Sequence, residues 1–102
     1  MLFAVTLTYL TQHDVISAHL DAHKRWLARG LSERRIIFAG SLSNGTGGYI
    51  LFHGDKVSDI HNFLKDDPFI IYNIANAEVV SVEPALCAQD FPARWADEAR
   101  FM

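Results

Sequence analysis

An α+β fold with the element order β-α-β-β-α-β is predicted for this 102-residue chain by three observations. Four segments carry apolar residues in the short, β-rich runs of strands. Two others repeat apolar residues every three to four positions, the period of an amphipathic helix. Glycine-rich or Asp-Pro punctuation separates them in that order.

Each element follows from its own residues. Residues 2–10 set Phe3, Val5, Leu7 and Tyr9 against Leu2, Ala4, Thr6, Thr8 and Leu10, which is the alternation of a strand. Over residues 13–31 the period lengthens, with Ile16, His19/Leu20, His23, Trp26/Leu27 and Leu31 on one stripe and Asp21, Lys24, Arg25 and Arg29 off it. "RRIIFAGSL" and "GGYILFH" read as a second and a third strand, joined by "SNGTGG", a loop in which glycine supplies positive φ. "KVSDIHNFLKD" is a second helix carrying Val57, Ile60, Phe63 and Leu64, followed after Asp67-Pro68 by a short helical stretch. "AEVVSVEP" is the fourth strand, closed by Pro84. This order is the split βαβ, or ferredoxin-like, arrangement, with a four-stranded antiparallel sheet and two main helices on one face.

Strand two is expected to be apolar on both faces, with Ile36 and Phe38 on one and Ile37 and Ala39 on the other. Strand three sets Ile50 and Phe52 against Tyr49 and Leu51 in the same way. Two helices cover only one face of such a sheet, so the other is expected to meet a second copy, giving a homodimer joined sheet to sheet. Residues 1–84 form the expected domain. Residues 85–102, with Phe91, Trp95 and Phe101, form a tail expected to pack on the dimer or over a pocket mouth, with a short helix from Pro92.

Composition narrows the class. Half of the residues are hydrophobic, and the net charge of −3 comes from interspersed acids and bases, so there is no basic face for nucleic acid. The apolar start "MLFAVTLTYL" is too short to span a membrane and lacks the charged region of a signal peptide. Cys87 is the only cysteine, so no intrachain disulfide forms, which fits a cytoplasmic protein. No P-loop or strand-to-helix GxGxxG indicates a nucleotide.

The chemistry centres on His23, which interrupts the apolar stripe of the first helix. It is open to three readings: a core histidine with a buried partner, a metal ligand paired with His19 at i, i+4, or an acid–base that needs a carboxylate to fix its tautomer. No HExxH pattern and no third ligand at suitable spacing accompanies the pair, so no metal is expected. Asp67 is the candidate carboxylate, and it also suits the N-cap of a helix that begins at Pro68. Gly47 and Gly48 suit a hairpin, or a close backbone approach to an anionic ligand. Phe69 suits the core or a pocket wall, and Arg34 and Arg35 are solvated cations of which one is suited to anchoring a carboxylate. His13, His53 and His61 read as surface residues.

"HKRWL" at 23–27, "FAG" at 38–40, "GTGGYIL" at 45–51, "DDPF" at 66–69 and "AEVVSVEP" at 77–84 together resemble the YCII-related (YciI-like) family. The resemblance runs in register over residues 1–84. It implies a dimeric α+β barrel with a cleft that holds a His–Asp dyad, here His23 and Asp67, and a small-molecule substrate. It further implies general acid/base chemistry on a small organic acid, such as isomerisation, elimination or proton abstraction, with no cofactor. The alternative is a non-catalytic small-ligand-binding or accessory dimeric domain. Gly40 and Ser41 fall at the strand end that walls the implied pocket, with Gly47, Gly48, Phe69 and Arg34 as further substrate-binding candidates. The chain departs from the family pattern in three places: Ala39 replaces a serine, Ser41 a proline, and Arg34 the glycine between helix and strand.

Overall fold

A computed structural model describes all 102 residues. Strand β1 (Leu2–Tyr9) leads into the 20-residue helix α1 (His13–Ser32), then β2 (Ile36–Ser41) and β3 (Gly47–His53) form a hairpin. Helices α2 (Val57–Leu64) and α3 (Pro68–Ile71) precede β4 (Ala75–Val82). The four strands form one antiparallel sheet in the order β2-β3-β1-β4, the ferredoxin-like topology. No helix is long and apolar enough to cross a membrane.

The core lies between one sheet face and the helices. Phe3, Val5 and Leu7 of β1 and Ile50 and Phe52 of β3 are buried there against Trp26, Ile60, Phe63, Leu64 and Phe69. Alternation along β1 and β3 is therefore read correctly from sequence, since the pleat sends every second side chain to the same face. Strand β2 differs from expectation. A register shift between Ile36 and Phe38 breaks the alternation, so Ile36 is buried and Ala39 packs on the core, while Phe38 is 51% exposed. Phe38 instead lies beside Tyr49 on the outer face, with ring centroids 5.7 Å apart. A bulge inserts one residue, and one residue is enough to reverse a strand's faces.

Three contacts tie α1 to the last turn of α2 and the segment that follows it. The Trp26 indole N–H donates to the Phe63 carbonyl at 3.1 Å, Arg29 pairs with Asp66 at 3.1 Å, and His23 meets Asp67. Residues three apart on a helix share a face, so 23, 26 and 29 act as one clamp. Close approach also fixes two glycines. A Cβ on Gly30 would stand 2.4 Å from Ile36 Cδ1, and one on Gly47 would stand 1.7 Å from the Leu7 carbonyl oxygen. The second obstacle is backbone, so β1 and β3 pair as they do only with glycine at 47.

The tail forms no helix beyond a single 3₁₀ turn at Ala93–Trp95. Strands β5 (Leu86–Cys87) and β6 (Arg100–Phe101) pair in parallel, closing residues 85–102 into a loop around that turn. An isolated helix of this length is marginal, and pairing of its two ends displaces it. Within the loop Phe91 meets Trp95 edge to face, and the Arg94 guanidinium covers the Trp95 ring at 4.6 Å.

Helix α1 ends in a Schellman-type turn: the Arg35 N–H donates to the Gly30 carbonyl, and Arg34 takes a φ of +62°. That is the left-handed position that glycine occupies at low cost, and arginine holds it here against its Cβ clash. Arg34→Gly is expected to raise unfolding free energy by about 1 kcal/mol in urea titrations, with an unchanged m value.

Candidate active site

Asp67 stands at the N-cap of α3, where its extended backbone (φ −69°, ψ 122°) and the following Pro68 start the helix. Its side chain does two things with one oxygen. Oδ1 accepts the Phe69 N–H at 3.0 Å, which is the cap, and also meets His23 Nδ1 at 2.7 Å. Both donors come to an oxygen that is fully buried. Since Oδ1 is already an acceptor from the backbone, Nδ1 is the ring nitrogen that carries hydrogen, and Nε2 is left free. Oδ2 is buried with no hydrogen-bond partner. A buried carboxylate is costly unless paired, and His23 is the one side chain bonded to it.

The imidazole is held in plane as well as in tautomer. The Phe69 ring lies parallel to it at 3° with centroids 3.9 Å apart, and Trp26 lies 5.8 Å away at 28°. Phe69 is 1% exposed and sits two residues after Asp67, so the step that caps α3 also sets the ring that packs on His23. The His23 side chain retains 10% exposure.

That exposure opens onto a cavity of about 220 Å³ between α1 and the sheet. His23, Leu20, Lys24 and Leu27 line it from the helix. Leu7, Tyr9 and Ile50 come from the central strands, and Ala39, Gly40 and Ser41 with Gly48 and Tyr49 come from the β2–β3 hairpin. Small residues at 39 and 48 leave the space, since each stands at a core-facing position of a strand where neighbours carry Ile36 and Ile50.

Of the residues read from sequence, the structure brings His23, Gly40, Ser41 and Gly48 to the cavity wall, with Asp67 and Phe69 directly behind His23. Gly47 packs under Leu7 and does not line the cavity. Arg34 lies two residues past the end of α1 and lines a separate depression with Leu31, Ile36, Ile37, Arg94 and Trp95. No residue of the tail lines the cavity around His23. His19 turns towards α3 and stacks on Tyr72 at 4.6 Å, so its imidazole does not converge with that of His23. Lys24 and Tyr9 line the cavity and were not singled out in the sequence. A lysine beside an apolar stripe reads as solvated, and a tyrosine in β1 reads as core.

The chain matches no protein-family model, and no curated protein matches it in sequence. Solved structures do resemble it. One is the 5-chloro-2-hydroxyhydroquinone dehydrochlorinase of Burkholderia phenoliruptrix AC1100 in complex with 2,5-dihydroxybenzoquinone. It is 18% identical, covers 83% of this chain and 96% of its own, and gives a TM-score of 0.71. Another is a muconolactone isomerase, 22% identical over 80% of this chain and 88% of its own, with a TM-score of 0.62. The fold is thus that of the ferredoxin-like α+β barrels.

Asp67→Ala removes the cap and the His23 acceptor together and is expected to cost about 2–4 kcal/mol, read by denaturant titration. Asp67→Asn offers His23 an amide that donates as well as accepts. Nitrogen-15 NMR of neutral His23 is expected to show hydrogen on Nδ1 in the parent and a shift towards the Nε2–H form in this variant. Hydrogen on Nε2 in the parent would contradict the assignment of Nδ1.

Proposed function

We propose that the chain is a cofactor-independent enzyme of the YciI-like kind, in which His23 and Asp67 perform general acid/base chemistry on a small organic acid. One observation supports this above the rest: the same imidazole that is bonded through Nδ1 to a buried carboxylate also lines a mostly apolar cavity. A core histidine needs a partner, but it has no need of an opening on its other side.

In this reading Nε2 takes a proton from a carbon next to a carbonyl, and the electron pair left behind moves into the conjugated oxygen. The imidazolium so formed is faced by Asp67 at 2.7 Å. Return of the proton to another carbon gives isomerisation, and departure of an anion from the neighbouring carbon gives elimination. Positioned side-chain acid–base groups of this type contribute roughly 10²–10⁴-fold.

The names of the similar structures supply the panel for the test: chlorinated hydroxyhydroquinones and unsaturated lactone acids such as muconolactone. Turnover of a panel member, or exchange of its acidic C–H for solvent deuterium by NMR, is expected with the parent chain. His23→Asn should lower the rate by 100-fold or more. A His23→Asn chain that works at the parental rate, or a parent that binds members of the panel and changes none, would favour the accessory-domain alternative.

Two copies are further proposed to pair through the outer sheet face. Phe38, Val80 and Val82 are 51%, 49% and 42% exposed there, and Tyr49 and Leu51 lie between them in the register. Contiguous apolar exposure of this kind marks an association surface. Sedimentation equilibrium is expected to give twice the chain mass for the parent and the single mass for Phe38→Lys/Val80→Lys. A monomeric parent removes the proposal.

A further inference from the structure

Charge around the cavity is one-sided. None of its twelve lining residues is an acid, and Lys24 is the one fixed cation among them. Lys24 takes part in no ion pair, whereas Arg29 of α1 and Arg35 just before β2 are engaged with Glu33 and Asp66. Three lining residues carry hydroxyls, Tyr9, Ser41 and Tyr49, and none of the three makes a hydrogen bond within the fold; the Tyr49 ring lies beside Phe38 on the outer face, which leaves Tyr9 and Ser41 for this wall. Tyr9 reaches the cavity from the end of β1 with its ring edge on Phe69, 6.0 Å between centroids. Tyr9, Ser41 and Leu20 also border the adjoining groove, so both hydroxyls belong to one end of the cavity.

We infer that Lys24 is the anion anchor of this cavity, and that the cavity selects single-ring organic acids bearing a carboxylate and a second oxygen. The carboxylate pairs with Lys24 at the rim, and the second oxygen bonds the Tyr9 and Ser41 hydroxyls. The inference rests on the reading of His23 as the acid–base group of the same cavity, and it adds the ligand class and the residues that orient it. Size supports one ring: an apolar cavity of about 150 Å³ takes benzene, and this one, at about 220 Å³, has room for a ring and its substituents. Seven of the twelve lining residues are hydrophobic, enough to cover ring faces while a few polar groups fix orientation. A cavity without acids adds no repulsion to an anion, and a low-dielectric wall strengthens the attraction of one ammonium. Ser41 matters for a second reason. The strand position two residues before it holds Ala39, so the only side-chain hydroxyl that β2 offers to this wall comes from residue 41.

The test measures binding, not turnover, with benzoate, 3-hydroxybenzoate and benzamide as probes and NMR signals of His23 and Ala39 as readout. Benzoate is expected to saturate at millimolar concentration. Lys24→Met should weaken it tenfold or more, Lys24→Arg should restore it to within about threefold, and benzamide should bind both chains alike. Tyr9→Phe and Ser41→Ala should weaken 3-hydroxybenzoate by more than they weaken benzoate. Benzoate that binds Lys24→Met as it binds the parent, equal weakening of benzamide, or no benzoate binding at all overturns the inference. His23→Asn separates it from the catalytic reading: a chain that loses turnover by this change is using its dyad whatever Lys24 does. A parent without turnover that still binds benzoate through Lys24 keeps the anchor and loses the chemistry.

Discussion

A carboxylate taken out of water must be answered by something, and in this protein the answer is a single imidazole 44 positions earlier in the chain. Asp67 has no exposure, and one of its oxygens finds no partner at all. The other oxygen collects the Phe69 N–H and His23 Nδ1. Desolvation makes that pairing strong in both directions, because neither group has solvent to turn to. The first turn of α3, the seat of Phe69 on the imidazole and the closure of α1 over the core all converge on this one oxygen. The Trp26–Phe63 and Arg29–Asp66 contacts repeat the attachment one and two helical steps away, so the dyad is part of how α1 docks.

This dual use makes the acid both a cap and the anchor of the imidazole, and in the proposed function half of a proton-handling pair. Capping alone needs an oxygen that reaches the N–H two residues on, and any exposed Asp, Ser or Thr supplies it. Burial is the difference here. It turns a local backbone signal into a fixed charge that orients a base across the fold, and Pro68 helps by setting φ at the first helical position with no N–H to satisfy.

Much of this was legible in the sequence, and the exceptions have physical causes. The β-α-β-β-α-β order follows from period and punctuation, since Phe3, Val5 and Leu7 or Ile60, Phe63 and Leu64 leave little ambiguity and glycine-rich or Asp-Pro steps part the elements. Pairing His23 with Asp67 drew on family resemblance, because periodicity cannot show which distant side chains meet. The two faces of β2 were misjudged by one residue, as alternation carries no mark of a bulge between Ile36 and Phe38. Arg34 looked like a free cation for a carboxylate, yet it closes the end of α1 in a left-handed conformation far from the cavity. The tail looked like a helix, yet its ends pair with each other. Gly47 was read as a turn or ligand-contact residue; the reason for it is the Leu7 carbonyl beneath it.

The parallel seat of His23 on Phe69 bears on stereochemistry. With one ring nitrogen tethered and one face covered, the imidazole cannot swing between two positions as a mobile shuttle does. Its remaining lone pair therefore points along a single line. If His23 acts as proposed, any atom that gives up hydrogen to it and any atom that later receives that hydrogen must come to the same spot, from the same side of a flat molecule. Transfer through such a base is suprafacial, and the handedness of a product formed in heavy water would record it.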